Sequence, residues 1–189
     1  MTEQPVLQNI KRWLWQEQEY SITDADAFAK LYELHHLTVF RYVYGLSGGP
    51  QQDAEDITAE TFIRAWTTRH RFTGSKQAAL GWILRIARNL IIDSSRRRRV
   101  RPEEENIDLE SLLDTKSLPE IDIITREQAM VLWKTLSTLP EDLREMLVLR
   151  YMLGWQVKQI ALHLDITENN VSVSMRRALN RLQQGWPQS

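Results

Sequence analysis

Five polar side chains near the C-terminus have the chemistry that reads duplex DNA, and they share one predicted helix face with a valine. Asparagine, serine and arginine bond to base edges and phosphates in a major groove. The stretch 156–182 has the order of a helix-turn-helix, because a short apolar segment, a turn at 165–167 and a second amphipathic segment follow one another. An ordinary α-hairpin with a solvated polar face is the alternative interpretation. The predicted DNA-reading residues are Asn169, Asn170, Ser172, Val173, Arg176 and Arg177.

A second group of residues, between 72 and 99, combines arginines with aromatic rings. Arg85, Arg88, Asn89 and the run 96–99 supply positive charge, with Phe72 before them and Trp82 among them. Arginine attracts phosphate, and an exposed ring stacks on an unpaired base. This pattern is typical of nucleic-acid binding. It is equally compatible with a buried tryptophan beside a solvated arginine face.

A row of carboxylates lies on one predicted helix, because Asp53, Asp56 and Glu60 are spaced by three and four residues. Such a row is a candidate metal or acid–base site, but it is far more often a solvated or protein-binding face. The four histidines lack metal-ligand spacing, and the chain has no Walker loop, GxGxxG motif or nucleophile elbow. The sequence therefore predicts a protein that is not an enzyme and holds no cofactor and no metal.

The elements that position these side chains are predicted to be helices, because apolar residues recur with helical periodicity along most of the chain. Apolar residues at three- and four-residue steps predict helices over about 24–46, 50–69, 78–99, 125–136, 140–151, 156–164 and 168–184. The helix at 140–151 is expected to bury Leu143, Met146, Leu147 and Tyr151. The predicted fold class is all-α: two small helical domains joined by a flexible acidic linker, with a C-terminal helix-turn-helix. The predicted boundaries are an extension 1–23, a first domain 24–101, the linker 102–124 and a second domain 125–189.

Charge and composition support this division. The net charge of −1 hides 13 basic and 8 acidic residues in 24–101, 1 and 8 in 102–124, and 8 and 6 in 125–189. The absence of cysteine excludes disulfides and thiolate sites and fits a reducing compartment. The start has no signal-peptide pattern, and no apolar run reaches the roughly 18 residues of a membrane span. We expect a cytoplasmic chain with no membrane insertion.

Three long segments together resemble the extracytoplasmic-function (ECF) subfamily of the bacterial sigma-70 family of RNA polymerase sigma factors. They read DAEDITAETFIRAW from Asp53, WILRIARNLIIDSSRR from Trp82, and LPEDLREMLVLRYMLGWQVKQIALHLDITENNVSVSMRRALNRL from Leu139. The segments occur in the family's order and the resemblance covers about 24–185. Gln159 stands where the family usually has an acidic residue, and Asp165 where it usually has glycine. Ser172 and Ser174 stand where it often has Lys and Arg.

The resemblance implies a transcription initiation factor that binds core RNA polymerase and directs it to promoter DNA, with an anti-sigma factor as a further partner. The second domain would read the minus-35 element, and the linker would thread the polymerase cleft toward the RNA path. A helix-turn-helix regulator that acts without the polymerase core is the alternative. The implied polymerase-binding residues are Asp53, Asp56, Glu60, Phe62 and Trp66. The implied minus-ten residues are Phe72, Ser75, Lys76, Trp82, Arg85, Arg88, Asn89, Arg96 and Arg97.

Overall fold

A computed structural model of the chain describes residues 21–47, 51–100 and 135–185. Over these residues the protein is α-helical and contains no strand, so the all-α prediction is confirmed. None of the helices in these three ranges is long and apolar enough to cross a membrane. The acidic linker, the extension up to residue 20 and most of the helix predicted at 125–136 lie outside the described residues. The helices are α1 (Ala25–Ser47), α2 (Gln51–Thr68), α3 (Lys76–Val100), α4 (Glu141–Leu147), α5 (Val157–Leu164) and α6 (Glu168–Gly185).

The first bundle consists of α1, α2 and α3, and each of these helices packs on the other two. Asp24 starts α1, because its carboxylate accepts the backbone N–H of Ala27 at 2.8 Å. The apolar stripes predicted by the three- and four-residue spacing face one another in the bundle core. A short 3₁₀ turn, Arg69–Arg71, and an extended loop connect α2 to α3. Buried residues include Leu31, Val39, Val43, Ala54, Phe62, Ala65, Ile83, Leu84 and Ala87.

The second bundle consists of α4, α5 and α6 and contains the predicted helix-turn-helix. The backbone N–H of Gln156 donates to Gln159 Oε1 at 2.8 Å, so Gln159 stabilises the start of α5. Asp165 ends α5 in the left-handed conformation, with φ 56° and ψ 46°. Aspartate adopts this conformation more easily than most side chains do, which explains why the turn forms without glycine. Ile160, Val171 and Met175 are buried between α5 and α6, as the spacing predicted.

The helix predicted at 140–151 changes its winding part of the way along. Glu141–Leu147 is α-helical, Val148–Met152 forms a π-helical turn, and Gly154 leaves it with φ +69°. A π turn has more residues per turn than an α-helix, so side-chain directions no longer follow the three- and four-residue rule. The prediction that Tyr151 is buried is therefore wrong: 62% of the residue is exposed.

The two bundles contact each other and share one apolar cluster. Gly45 of α1 faces the π turn, because an added Cβ would come within 2.7 Å of Met152 Sδ and 3.0 Å of a Val148 methyl. Every residue from 145 to 149 is buried, since α6 packs on α4, α5 contacts the π turn, and α1 packs on both. Helical periodicity predicted two helical domains joined by a linker. It did not predict this contact between the two bundles.

Candidate nucleic-acid interface

The second helix of the helix-turn-helix, α6, presents the predicted DNA-reading side chains to solvent. Thr167 Oγ1 accepts the backbone N–H of Asn170 at 3.2 Å and caps the first turn. The Ser172 hydroxyl donates to the Glu168 carbonyl at 2.9 Å, so one of its bonds is made within the helix. Val173 is 41% exposed. The structure brings all six predicted residues onto one accessible face: Asn169, Asn170, Ser172, Val173, Arg176 and Arg177.

The aromatic pair Phe72 and Trp82 lines a groove at the start of α3. Their ring centroids are 5.2 Å apart and the rings are inclined by 44°. Gly74 lets the connecting loop fold onto Phe72, because a Cβ at this position would come within 2.9 Å of the Phe72 ring. The groove has a volume of about 580 Å³. Its lining includes Ser75 and Arg85 from the first bundle and Trp155 from the second.

The predicted minus-ten arginines fall into two groups. Arg96 and Arg97 are exposed at the far end of α3, where Arg97 Nε donates to the Asp93 carbonyl at 3.3 Å. Arg85 and Arg88 instead bond to the second bundle. Arg85 Nη2 donates to the His163 carbonyl at 3.3 Å. Lys76 and Asn89, the remaining polar residues of the predicted set on α3, are exposed.

Arg88 belongs to a buried polar cluster centred on Glu145, which sequence reasoning missed. Arg88 Nε donates to Glu145 Oε2 at 2.6 Å, and the Tyr42 hydroxyl donates to Glu145 Oε1 at 2.6 Å. Arg88 Nη2 reaches Asp142 at 3.1 Å. Burial first, and then the Glu145 charge, raise the pKa of Tyr42 well above its ordinary value. The one sequence signal was an acidic residue followed by the apolar run 146–149.

Burial lowers the pKa of Arg88, but the hydrogen bond and charge of Glu145, together with Tyr42 and Asp142, outweigh that effect and raise the pKa overall. His163 behaves differently. Burial, reinforced by Arg85 and Arg88, lowers the pKa of its imidazole to about 4. His163 Nε2 lies 3.8 Å from Glu145 Oε1, beyond hydrogen-bond range. The ring is therefore neutral at neutral pH, and Arg88 is the cation that pairs with Glu145.

The carboxylate row on α2 lies on the surface of the first bundle. Asp56 is exposed, and Glu60 pairs with Arg64 on the same helix at 2.7 Å. The burial of two residues differs from what the predicted polymerase-binding set implies. Phe62 is buried, with its ring edge-on to Tyr32 at 4.8 Å, so it supports the face from inside. Ile63, which the predicted set omitted, is 60% exposed.

Trp66 lies at the end of this α2 face and is 37% exposed. It packs edge-on against Phe28 at 5.1 Å, and the Arg69 guanidinium lies 3.5 Å from the centre of the ring. These contacts hold the indole in one orientation at the surface. Within the described ranges, no group of three or more His, Asp or Glu side chains is placed to hold a metal ion.

Two sigma-factor families match the two bundles in turn. Residues 31–101 match Sigma-70 region 2, which takes in most of the first bundle and the residues predicted to bind the polymerase and the minus-ten element. Residues 129–182 match Sigma-70 region 4, which takes in the helix-turn-helix. In the structure of the sigma factor RpoE with the anti-sigma factor NepR from Bartonella quintana, RpoE has a similar fold. The TM-score is 0.64 at 24% identity, over 84% of this chain and 95% of the other.

Curated relatives are similar along most of the chain. The ECF RNA polymerase sigma factor BldN of Streptomyces coelicolor is 30% identical over 84% of this chain, and the match spans 60% of BldN. The ECF RNA polymerase sigma factor SigL of Mycobacterium tuberculosis is also 30% identical over 84% of this chain, and here the match spans 88% of the relative. With both sigma-70 regions present in order, the chain belongs to the ECF sigma factors of the sigma-70 family.

Proposed function

We propose how this sigma factor divides its work between its two bundles. As a member of the ECF family, the chain is a transcription initiation factor that binds core RNA polymerase and directs it to specific promoters. In the proposed division, the domain 24–101 binds the polymerase and opens the minus-ten element, and the domain 125–189 reads the minus-35 element. The chain acts in the cytoplasm, where it meets the polymerase, and contributes no catalytic group of its own.

Polymerase docking is assigned to the outer face of α2. Asp53, Asp56 and Glu60 give this face negative charge, and the exposed Ile63 and Trp66 add apolar area. A charged rim around aromatic and aliphatic anchors is the usual anatomy of a protein–protein interface. The buried Phe62 supports these anchors rather than contacting the polymerase.

Minus-ten opening is assigned to the groove of Phe72 and Trp82 with the positive side of α3. A base that leaves the stack loses a few kcal/mol of stacking and pairing, so it needs a ring partner. The half-buried Phe72 and Trp82 offer ring surface beside Ser75 and Arg85. Arg96 and Arg97 extend the positive charge along the path of the strand, where they would hold phosphates.

Minus-35 readout is assigned to α6, and its exposed polar face is the observation that supports it most directly. The helix-turn-helix buries Val171 and Met175 while Asn169, Arg176 and Arg177 stay accessible. A regulator that acts without the polymerase would have no use for a region 2, so the two matched regions favour the sigma-factor function. An anti-sigma factor is the proposed inhibitory partner, because the similar RpoE structure is a complex with one.

Run-off transcription with purified core polymerase tests the proposal. Core enzyme supplied with the full chain is expected to produce a transcript of fixed length from a cognate promoter, and core enzyme alone is expected to produce none. Genomic fragments selected by the reconstituted holoenzyme supply the template. Binding of the chain to these fragments without polymerase, together with no promoter-directed transcript, would contradict the proposal and favour the regulator.

A further inference from the structure

We propose that Val173 of α6 contacts the C5-methyl group of a thymine in the minus-35 element, so that this factor requires a T·A pair at one position of that element. The inference rests on the proposed function, because it takes α6 to be the helix that lies in the major groove. It adds to that function the identity of one base and the atom by which the base is read.

Val173 lies at the centre of the exposed face of α6. The buried face of this helix contains Val171, Met175 and Ala178. At about 100° of rotation per residue, Val173 points nearly opposite the middle of that buried face. It is 41% exposed and belongs to neither apolar cluster of the described residues. It also lies in the second turn of α6, within the half of a recognition helix that contacts base edges.

Polar side chains flank Val173 along the same stripe of the helix. Asn169 precedes it by about one turn and Arg176 follows it by about one turn, and both are exposed. One turn of α-helix rises about 5.4 Å, against about 3.4 Å between base pairs, so neighbouring members of the stripe meet edges one or two base pairs apart. Val173 is therefore the apolar member of a stripe that is otherwise polar and faces the bases.

The bases differ in the groups that they present in the major groove. Adenine and guanine present N7 with an amino group or a further acceptor, cytosine presents an amino group, and thymine presents O4 and a methyl group. A valine side chain neither donates nor accepts a hydrogen bond, so it leaves a polar edge unpaired once water is displaced. The thymine methyl is the apolar group in this set. Contact with Val173 therefore favours thymine over the other three bases.

The shape of the valine side chain suits this contact. A β-branched side chain holds one strongly preferred χ1 rotamer in a helix, so its methyl groups lose little freedom when they pack on a base. Valine is also a weaker helix former than alanine, so helix propensity does not explain its presence at this exposed position. The alternative is that Val173 is an isolated apolar surface residue without a role, as exposed apolar residues often are.

Deoxyuridine tests the contact, because it pairs like thymidine but lacks the C5-methyl group. Promoters are first selected with holoenzyme reconstituted from core polymerase and the full chain. Each thymine of the selected minus-35 element is then replaced in turn, and holoenzyme binding to the duplex is measured at one fixed salt concentration. At one position the replacement is expected to weaken binding about threefold to fourfold, which corresponds to about 0.8 kcal/mol for one buried carbon.

Val173→Ala is expected to bind the thymine and deoxyuridine duplexes equally well, at unchanged helicity. Leu179→Ala is the matched control, because Leu179 is an apolar residue of the same helix that is also 41% exposed but lies off the central stripe. This control is expected to keep the full dependence on the methyl group. A 5-methylcytosine at the sensitive position is expected to bind wild type more tightly than cytosine does, and to give Val173→Ala no such gain.

Three results would overturn the inference while the proposed function stands. The holoenzyme transcribes from the selected promoters but no thymine methyl affects binding, the dependence on the methyl survives in Val173→Ala, or the selected minus-35 element contains no thymine. If the holoenzyme instead gives no promoter-directed transcript, the proposed function fails and this inference fails with it. The two failures are therefore distinguishable.

Discussion

At the scale of single residues, burial decides which predicted contacts a side chain can make directly. Arg176 and Arg177 are exposed on α6, whereas Phe62 is buried and Arg88 is bound to another part of the chain. The type and spacing of these residues were sufficient to nominate them. Whether each side chain is exposed to a partner depends on neighbours that are distant in the sequence. The type of a residue does not predict those neighbours.

Arg176→Ala or Arg177→Ala is expected to reduce transcription from a promoter that depends on its minus-35 element. A base-reading arginine contributes about 1–3 kcal/mol of discrimination, whereas loss of a phosphate contact weakens all sequences alike. Run-off transcription on matched templates, with and without a substituted minus-35 element, separates the two cases. Arg181→Ala, at another exposed position of α6, is the control. Normal minus-35-dependent transcription by both variants would contradict the assignment of α6.

His163 is expected to make the stability of the chain depend on pH. Its folded pKa of about 4 lies below the ordinary value of 6.5, so the unfolded chain binds the proton more readily between these values. The free energy of unfolding therefore falls as pH drops from about 6.5 toward 4, by at most about 1.4 kcal/mol per pH unit from this group. Above pH 6.5 the contribution is constant.

Urea unfolding at pH 7, 6 and 5 checks this expectation against a variant without the imidazole. His163→Phe keeps a ring edge-on to Trp155, which His163 contacts at 5.2 Å between centroids. The variant is expected to lose less stability between pH 7 and 5 than wild type. His70→Phe, at an exposed site, is expected to keep the wild-type slope. If the free energy of unfolding depends equally on pH in wild type and His163→Phe, the pKa of His163 is not lowered in the folded chain.

At the scale of elements, the local sequence pattern was sufficient to predict the helix-turn-helix and the helix α2. Apolar spacing placed the buried faces of α5 and α6, and an aspartate that tolerates positive φ supplied the turn between them. The π-helical turn after α4 carried no such signal. A π turn has more residues per turn than an α-helix, so α-helical spacing misplaced Tyr151.

Asp56→Lys on α2 is expected to weaken binding of core polymerase by about tenfold or more. Reversal replaces an attraction across the interface with a repulsion, and a close interfacial charge pair carries a coupling of a few kcal/mol. Titration of labelled core enzyme with the full chain measures the affinity, and circular dichroism checks that helicity is unchanged. Glu55→Lys makes the same charge change off the carboxylate row and is expected to bind normally. If Asp56→Lys binds core polymerase with wild-type affinity, the carboxylate row on α2 is not part of the polymerase interface.

At the scale of the whole molecule, the arrangement of the two bundles could not be predicted from periodicity. The bond from Tyr42 to Glu145 joins residues 103 positions apart, and that from Arg88 to Glu145 joins residues 57 apart. Helical spacing reports which face of an element is apolar, but several partners can cover the same face. The sequence therefore predicted two helical bodies, and packing between them supplied the buried cluster.

The acidic linker 102–124, which lies outside the described residues, carries 8 acidic and 1 basic residue between two bodies of positive net charge. From the resemblance to the ECF family we expect this linker to thread the polymerase cleft toward the RNA path, and we expect that path to be positively charged because it holds a polyanion. An acidic peptide occupies such a path by the same electrostatics and yields to growing RNA. The alternative is that the carboxylates only keep the linker soluble and extended.

Replacement of Glu103, Glu104, Glu105, Asp108 and Glu110 by glutamine or asparagine separates these alternatives at constant length. Threading predicts near-normal binding to core polymerase but a changed ratio of abortive to full-length RNA, because a neutral linker competes differently with the transcript. Replacement of Asp24, Asp26 and Glu33 by the matching amides removes charge from the first bundle and serves as the control. If the RNA ratio and the promoter-escape rate both match wild type, the charge in this half of the linker serves only solubility and extension.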